Sequence, residues 1–384
     1  MVSAIRHLAL AWLSRVNLPR HALWGPRRYG TGSLRAYTGI LIVIAVPFVL
    51  LGKPATVSAQ SIPRTTRPPI GAQFHAMWSD YSDAQRTKVL DKLASAGIKW
   101  VRIDFGWASL QWDGPETFAP WYIERADEVV NAARARGIKV LMTLWRTPPW
   151  ASNTGGWQDP PADPGTYGRV ALWMANHFKG RVAAWEVWNE PNLPHFYSGT
   201  PSDYAALLRA SYSNFKAGDP QAKVVAGSVV YNDDEWLRQM YEAGARGYFD
   251  VLSTHPYQAV GDLPPEAPND GTVWRMSHLP AVHRLMCDWG DCNKPIWFTE
   301  FGWSSHNNWP GIENWQRGVT EARQANYALR AIKYVRDNFP YVEKMFWYRE
   351  RNGASGDVHL DNYGLLKRDL SGKPVYRALK NFLT

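Results

Sequence analysis

The sequence predicts a (β/α)8 barrel. Between residue 71 and the C-terminus, eight short apolar runs alternate with eight amphipathic stretches. Glycines stand where helices give way to strands, and polar residues gather at the C-terminal ends of the apolar runs, where barrels of this class place their chemistry.

The predicted strands cover residues 72–76, 100–105, 139–144, 183–188, 223–228, 251–255, 295–299 and 344–348. Their helical partners cover 83–97, 120–136, 165–179, 202–216, 234–246, 273–287, 315–338 and 374–382. "SAGIK" and "ARGIK" put Gly97 and Gly137 at helix ends, where a left-handed residue closes the helix before the next strand. A doubly wound open sheet is the main alternative, but no Gly-rich phosphate loop follows the first strand.

Composition bounds the function. Apolar residues make up 45% of 384, enough for a large core, and 21 Trp, 18 Tyr and 13 Phe exceed ordinary usage. Many of these rings must fill a core or line a groove. The formal charge is +9, but Arg6, Arg15, Arg20, Arg27, Arg28, Arg35 and Lys53 supply +7 of it within residues 1–59, where there is no acid. The remaining +2 shows no basic cluster suited to tracking phosphates, which argues against a nucleic-acid partner.

Residues 1–59 read as an export signal or an N-terminal anchor. Arginines lead into the apolar "GILIVIAVPFVLLG", followed by small residues around Val57-Ser58-Ala59. The apolar run is short for a membrane span and is interrupted by Pro47, which favours a cleaved signal. Residues 60–70, "QSIPRTTRPPI", read as a Pro-rich linker to the barrel domain at 71–384. Cys287 and Cys292 are too few for a thiolate zinc site, and a disulfide suits an exported chain; two reduced thiols are the alternative. The expected location is extracellular or in the cell envelope.

Candidate site residues follow from strand alternation. In "WVRIDFGW", Val101, Ile103 and Phe105 face the helices if Arg102 and Asp104 face the lumen, where buried charges need partners. The fourth strand ends in "WEVWNEPN" with Asn189 and Glu190, the sixth in "STHPY" with His255 and Tyr257, and the seventh in "WFTEFGW" with Glu300. Two carboxylates on opposite sides of a barrel mouth suit acetal cleavage: one protonates the leaving oxygen while the other attacks or steers water. Apolar surroundings predict a raised pKa for Glu190, the acid. Arg102, with hydrogen bonds from His255 or Tyr257, is expected to hold Glu300 ionised as a nucleophile. Asn189 is placed to bond a sugar 2-hydroxyl. His75 on the first strand divides between sugar contact and core hydrogen bonding. Trp107, Trp145, Trp150, Trp188, Tyr257, Trp303 and Trp347 stand at or after strand ends as candidate sugar platforms. No metal-ligand motif is evident among the ten histidines, so no metal or cofactor is expected.

"WEVWNEPN" and, 110 positions later, "WFTEFGW" resemble the clan A glycoside hydrolases, retaining (β/α)8 enzymes. With "GAQFHAMWS", "GIKWVRIDFGW", "TPPWAS" and "STHPY", the chain is most similar to bacterial members of glycoside hydrolase family 39 and related exopolysaccharide glycosidases. The resemblance spans 71–384 and implies Glu190 as acid/base and Glu300 as nucleophile. Family 5 cellulases share several of these residues but usually carry a His at the third strand end, where this chain has Trp145 in "LWRTPPW". The expected activity is hydrolysis of a β-linked oligo- or polysaccharide, with no obligatory protein partner and with membrane contact only through an uncleaved N-terminal segment. A non-catalytic carbohydrate-binding barrel of the cell envelope is the alternative.

Overall fold

A computed structural model describes residues 68–384; the proposed signal and most of the linker lie outside the described residues. Eight parallel strands pair in chain order, β1 to β8, and β1 closes on β8. The elements are β1 (Ile70–Gln73), α1 (Asp83–Ser95), β2 (Trp100–Gly106), α2 (Pro120–Ala135), β3 (Lys139–Trp145) and α3 (Pro164–His177). They continue with β4 (Ala184–Val187), α4 (Pro201–Gly218), β5 (Lys223–Val230), α5 (Asp234–Glu242) and β6 (Val251–His255). The last are α6 (Leu279–Asp288), β7 (Ile296–Phe301), α7 (Glu321–Asn338), β8 (Val342–Trp347) and α8 (Pro374–Leu383).

Helix starts follow from local chemistry. Ser82 and Gln85 form a capping box on α1, and Thr200 with Asp203 does the same on α4, satisfying amide groups that the first helical turn leaves free. The first strand begins two residues earlier than expected. Pro68 and Pro69 read as linker in the sequence, yet Pro69 already offers its carbonyl to Met345 on β8.

Alternation sorts the barrel into two apolar regions. Outward residues such as Val101, Ile103, Trp185, Phe298 and Trp347 join the main core beneath the helices. Inward residues form a separate plug of Trp100, Leu141, Ala184, Val225, Val251, Trp297 and Phe346. Above this plug the lumen turns polar, with Gln73, Arg102, Thr143, Glu186 and Ser253, all fully buried. The plug closes one end of the barrel and leaves polar groups to converge at the other.

α6 and the loop before β7 are joined by the Cys287–Cys292 disulfide. Among the described residues, no helix is long and apolar enough to cross a membrane.

Gly71 lies on the plug side of β1, and a Cβ there would collide with the Phe346 ring, which also packs against Trp100 and Trp297. Gly71→Ala is expected to destabilise the fold by about 1–3 kcal/mol through overpacking. A urea unfolding midpoint unchanged from that of the parent would contradict this packing.

Candidate active site

The site is built on Arg102. Its Nε donates to Glu186 Oε2 at 2.6 Å, one Nη to Gln73 Oε1 at 2.9 Å and Glu300 Oε1 at 2.6 Å, and the other to Asn189 Oδ1 at 2.7 Å. Burial opposes the guanidinium charge, but Glu186, Glu300 and Asp104 outweigh it and raise the pKa further. Thr143 donates to the Glu186 oxygen that Arg102 also holds. One planar cation thus ties together β1, β2, β4 and β7.

The chain bends sharply where β4 ends. Trp188 and Glu190 have φ of 67° and 43°, a left-handed backbone that L residues seldom adopt. The bend is held by Trp188 N–H to Leu144 O at 2.9 Å, Glu190 N–H to Ser228 O at 3.1 Å and Ser228 Oγ to Trp188 O at 3.1 Å. It brings both Asn189 and Glu190 to the mouth. On β7 the pairing with β8 shifts between Phe298 and Phe301, which breaks simple alternation. That shift lets the consecutive residues Thr299 and Glu300 both reach the His255 side of the lumen: Thr299 Oγ1 lies 3.0 Å from His255 Nε2, and Glu300 Oε2 lies 3.7 Å from His255 Nδ1.

Glu190, His255 and Glu300 each offer an atom, and the three atoms lie within 4.8 Å of one another. Glu190 is buried with little compensation, and its pKa is pushed up to about 8. Burial also raises Glu300 above the ordinary carboxylate range, against the pull of its neighbours His255, Arg102 and Tyr257. Tyr257 donates to Glu300 Oε2 at 2.8 Å. Desolvation thus outweighs the attraction of His255 and Arg102 in setting the direction of the shift. The contrast between the two acids remains: Glu300 has a fixed cation at 2.6 Å, and Glu190 has none.

His255 is placed differently from expectation. Its Nδ1 is hydrogen-bonded to Glu190 Oε1 at 2.8 Å, so its closer partner is Glu190. Burial lowers its pKa to about 4, leaving it neutral near pH 7. His75 is buried beside the site: Nδ1 contacts Glu350 Oε2 at 3.0 Å, and Nε2 is 3.9 Å from Asp104. Burial acts to raise the Glu350 pKa, but His75, Arg349 and Tyr81 prevail and hold it at about 2.

The tryptophans need the larger correction. Trp347 is wholly buried, packs edge-on to Phe301 and donates to Tyr363 O at 3.0 Å. Trp303 is buried and donates to Leu263 O at 2.8 Å. Trp107 and Trp188 are core residues, and Trp145 lies under the Arg146 side chain. Parity explains Trp347. Phe346 points into the plug, so Trp347 points outward and Tyr348 returns toward the mouth. Tyr348 is part-exposed, with its ring 5.7 Å from that of His75 and 6.4 Å from that of Tyr257. Counting inward residues from Phe346 would have found it. A cavity of about 570 Å³ lined by Trp100, Lys139, Trp297 and Lys344 lies at the plugged end, away from the carboxylate pair.

A buried acid pair at the open end of an eight-stranded parallel barrel defines a glycoside hydrolase type of centre. The chain belongs to the glycosyl hydrolase catalytic core family, whose model matches residues 173–372. A β-xylosidase of Geobacillus stearothermophilus is 30% identical over 108 residues, 26% of this chain and 21% of the relative. A β-glucosidase-like protein of Oryza sativa subsp. japonica is 29% identical over 168 residues, 40% of this chain and 23% of the relative. The aligned stretches thus span under a quarter of those relatives' lengths. Among solved structures, a family 39 glycoside hydrolase of Bacteroides cellulosilyticus WH2 aligns with TM-score 0.65 and 24% identity, covering 82% of this chain and 63% of that one. The family 39 enzyme of Xanthomonas axonopodis pv. citri aligns with TM-score 0.64 and 20% identity, covering 82% and 66%.

Removing Arg102 would leave Glu186 and Glu300 as uncompensated buried charges. Arg102→Met is expected to cost about 3–5 kcal/mol in chemical denaturation. A loss below about 1 kcal/mol would mean that these carboxylates find other partners.

Proposed function

We propose that the chain is an exported, retaining glycosidase that cleaves a β-linked oligo- or polysaccharide by double displacement, with Glu190 as acid/base and Glu300 as nucleophile. The observation that carries this reading is the short gap between the two acids, whose facing oxygens lie within 4.8 Å. Retaining enzymes hold their carboxyl groups about 5–5.5 Å apart, whereas inverting ones need about 6.5–9.5 Å to admit a water. The β-configuration rests on the names of the relatives, β-xylosidase and β-glucosidase-like. Export rests on the signal-like residues 1–59 and accords with the disulfide.

In the first step a Glu300 oxygen bonds to the anomeric carbon as the C–O bond to the leaving group breaks. The Glu190 proton passes to the departing oxygen. In the second step the Glu190 carboxylate takes a proton from water, the water oxygen bonds to the anomeric carbon, and Glu300 is released as carboxylate. Arg102 and Tyr257 occupy one Glu300 oxygen each and orient the carboxylate. Asn189 gives its carbonyl oxygen to Arg102, so its amide N–H groups are the end available to a sugar hydroxyl.

Proton NMR of the first-formed product should show the same anomer as the substrate, and an inverted product would overturn double displacement. Glu300→Gln is expected to remove turnover while sugar binding persists. Glu190→Gln should lower kcat about 10²–10⁴-fold on substrates with poor leaving groups and much less on activated aryl glycosides. Binding of sugars with no release of reducing ends by the parent enzyme would instead assign the groove to recognition alone.

Activity requires Glu190 protonated and Glu300 bare. With Glu190 raised to about 8, kcat/KM should fall as pH rises through about 8. The acid limb should lie above the usual carboxylate range, because Glu300 is also raised. In Glu190→Gln, assayed with an activated aryl glycoside, the alkaline limb near 8 should vanish; its persistence would assign that limb to another group.

A further inference from the structure

Arg146 is the first residue after β3, on the same end of the barrel as the carboxylate pair. Its φ is 68°, a conformation suited to glycine, and its carbonyl accepts from Ala108 N–H at 2.9 Å. A large charged side chain is therefore displayed where the backbone alone would favour none. The guanidinium carbon lies 4.4 Å from the Trp145 ring centroid and 4.9 Å from that of Trp157, so the group is held against two indoles. The residue is nevertheless exposed.

Other guanidinium groups at this end face carboxylates: Arg102 has four hydrogen-bond acceptors, Arg351 pairs with Asp80 at 3.0 Å, and Arg349 lies 3.9 Å from Glu350. Among the described residues, the Arg146 side chain makes no hydrogen bond and has no carboxylate within ion-pair distance. Its ring contacts fix the fork, and its five N–H donors remain unused. Trp145 and Trp157 also pack edge-on to each other and lie 6.1 Å from Phe196 and His195, respectively, in the loop that follows Glu190. The fork thus stands at the β3 rim of the cleft, beside the loop that follows Glu190, and Asp104 on β2 is the acid whose charge acts on it.

We propose that Arg146 is a specificity-determining residue that binds the carboxylate of an acidic sugar, so that the substrate is an acidic rather than a neutral polysaccharide. A planar guanidinium matches a carboxylate through two parallel hydrogen bonds, and a pre-positioned fork loses little freedom in making them. This inference rests on the glycosidase reading for its site, but its test is made independent of turnover.

The probes are a β-1,4-linked oligoglucuronate tetrasaccharide and the same tetrasaccharide after carboxyl reduction, which leaves the neutral glucose backbone. Binding is measured by calorimetry at low ionic strength to the full chain carrying Glu300→Gln. The acidic form is expected to bind at least about tenfold more tightly than its reduced counterpart. In Glu300→Gln with Arg146→Gln, the two affinities should converge to within about twofold, whereas Arg146→Lys should retain part of the preference, since it keeps the charge but not the fork. Equal affinities in the parent background, no binding of the acidic form, or an undiminished preference in Arg146→Gln would each overturn the proposal. Separately, hydrolysis of neutral aryl β-glycosides by the unmutated enzyme reports on the glycosidase reading alone, so failure of either idea is seen without the other.

Discussion

A cation buried in the barrel lumen cannot discard its charge, because arginine stays protonated at any accessible pH. Arg102 must therefore be surrounded by acceptors, and that requirement shapes much of the polar layer. Gln73, Glu186, Asn189 and Glu300 approach it from different strands, with Thr143 buttressing Glu186 from β3. The bonds that satisfy this cation also fix the orientation of the carboxylate facing the cleft. Structural and chemical demands fall on the same side chains.

The two acids sit in one small volume but in different company. Glu300 shares its oxygens between a guanidinium and a phenol, while Glu190 meets a neutral imidazole. Burial presses upward on both, and it is opposed at Glu300 by His255, Arg102 and the Tyr257 hydroxyl but at Glu190 by Arg102 alone. The left-handed backbone at Trp188 and Glu190 contributes by turning the chain out of the strand so that the less compensated acid faces the same space. Such strain persists only where surrounding bonds over-determine it, and here Leu144 and Ser228 supply them.

The barrel and the carboxylate pair were legible in the sequence because both depend on period and position. Arg102 and Asp104 alternate with apolar neighbours, and that parity alone sends them inward. Glu190 and Glu300 close apolar runs where a barrel opens. The aromatic residues were harder, because a ring at a strand end serves equally as core or as platform. Trp347 and Tyr348 are adjacent, and only the register set by Phe346 distinguishes them. His255 is legible as a site residue but its closer partner is not: the shifted pairing of β7 beside it leaves no mark in the residue pattern. Arg146 is not legible either, since a positive φ and a clamp of two indoles arise from loops whose course spacing does not encode.

The stopper formed by Trp100, Trp297 and Phe346 gives the barrel a floor. A well with a floor has a single doorway, so whatever binds at the carboxylate pair enters and leaves by the same rim. A polymer can rest across the rim or dip an end into it, but it cannot be threaded through the molecule. On the proposed double displacement, the first fragment must therefore clear the way for the water that frees the second.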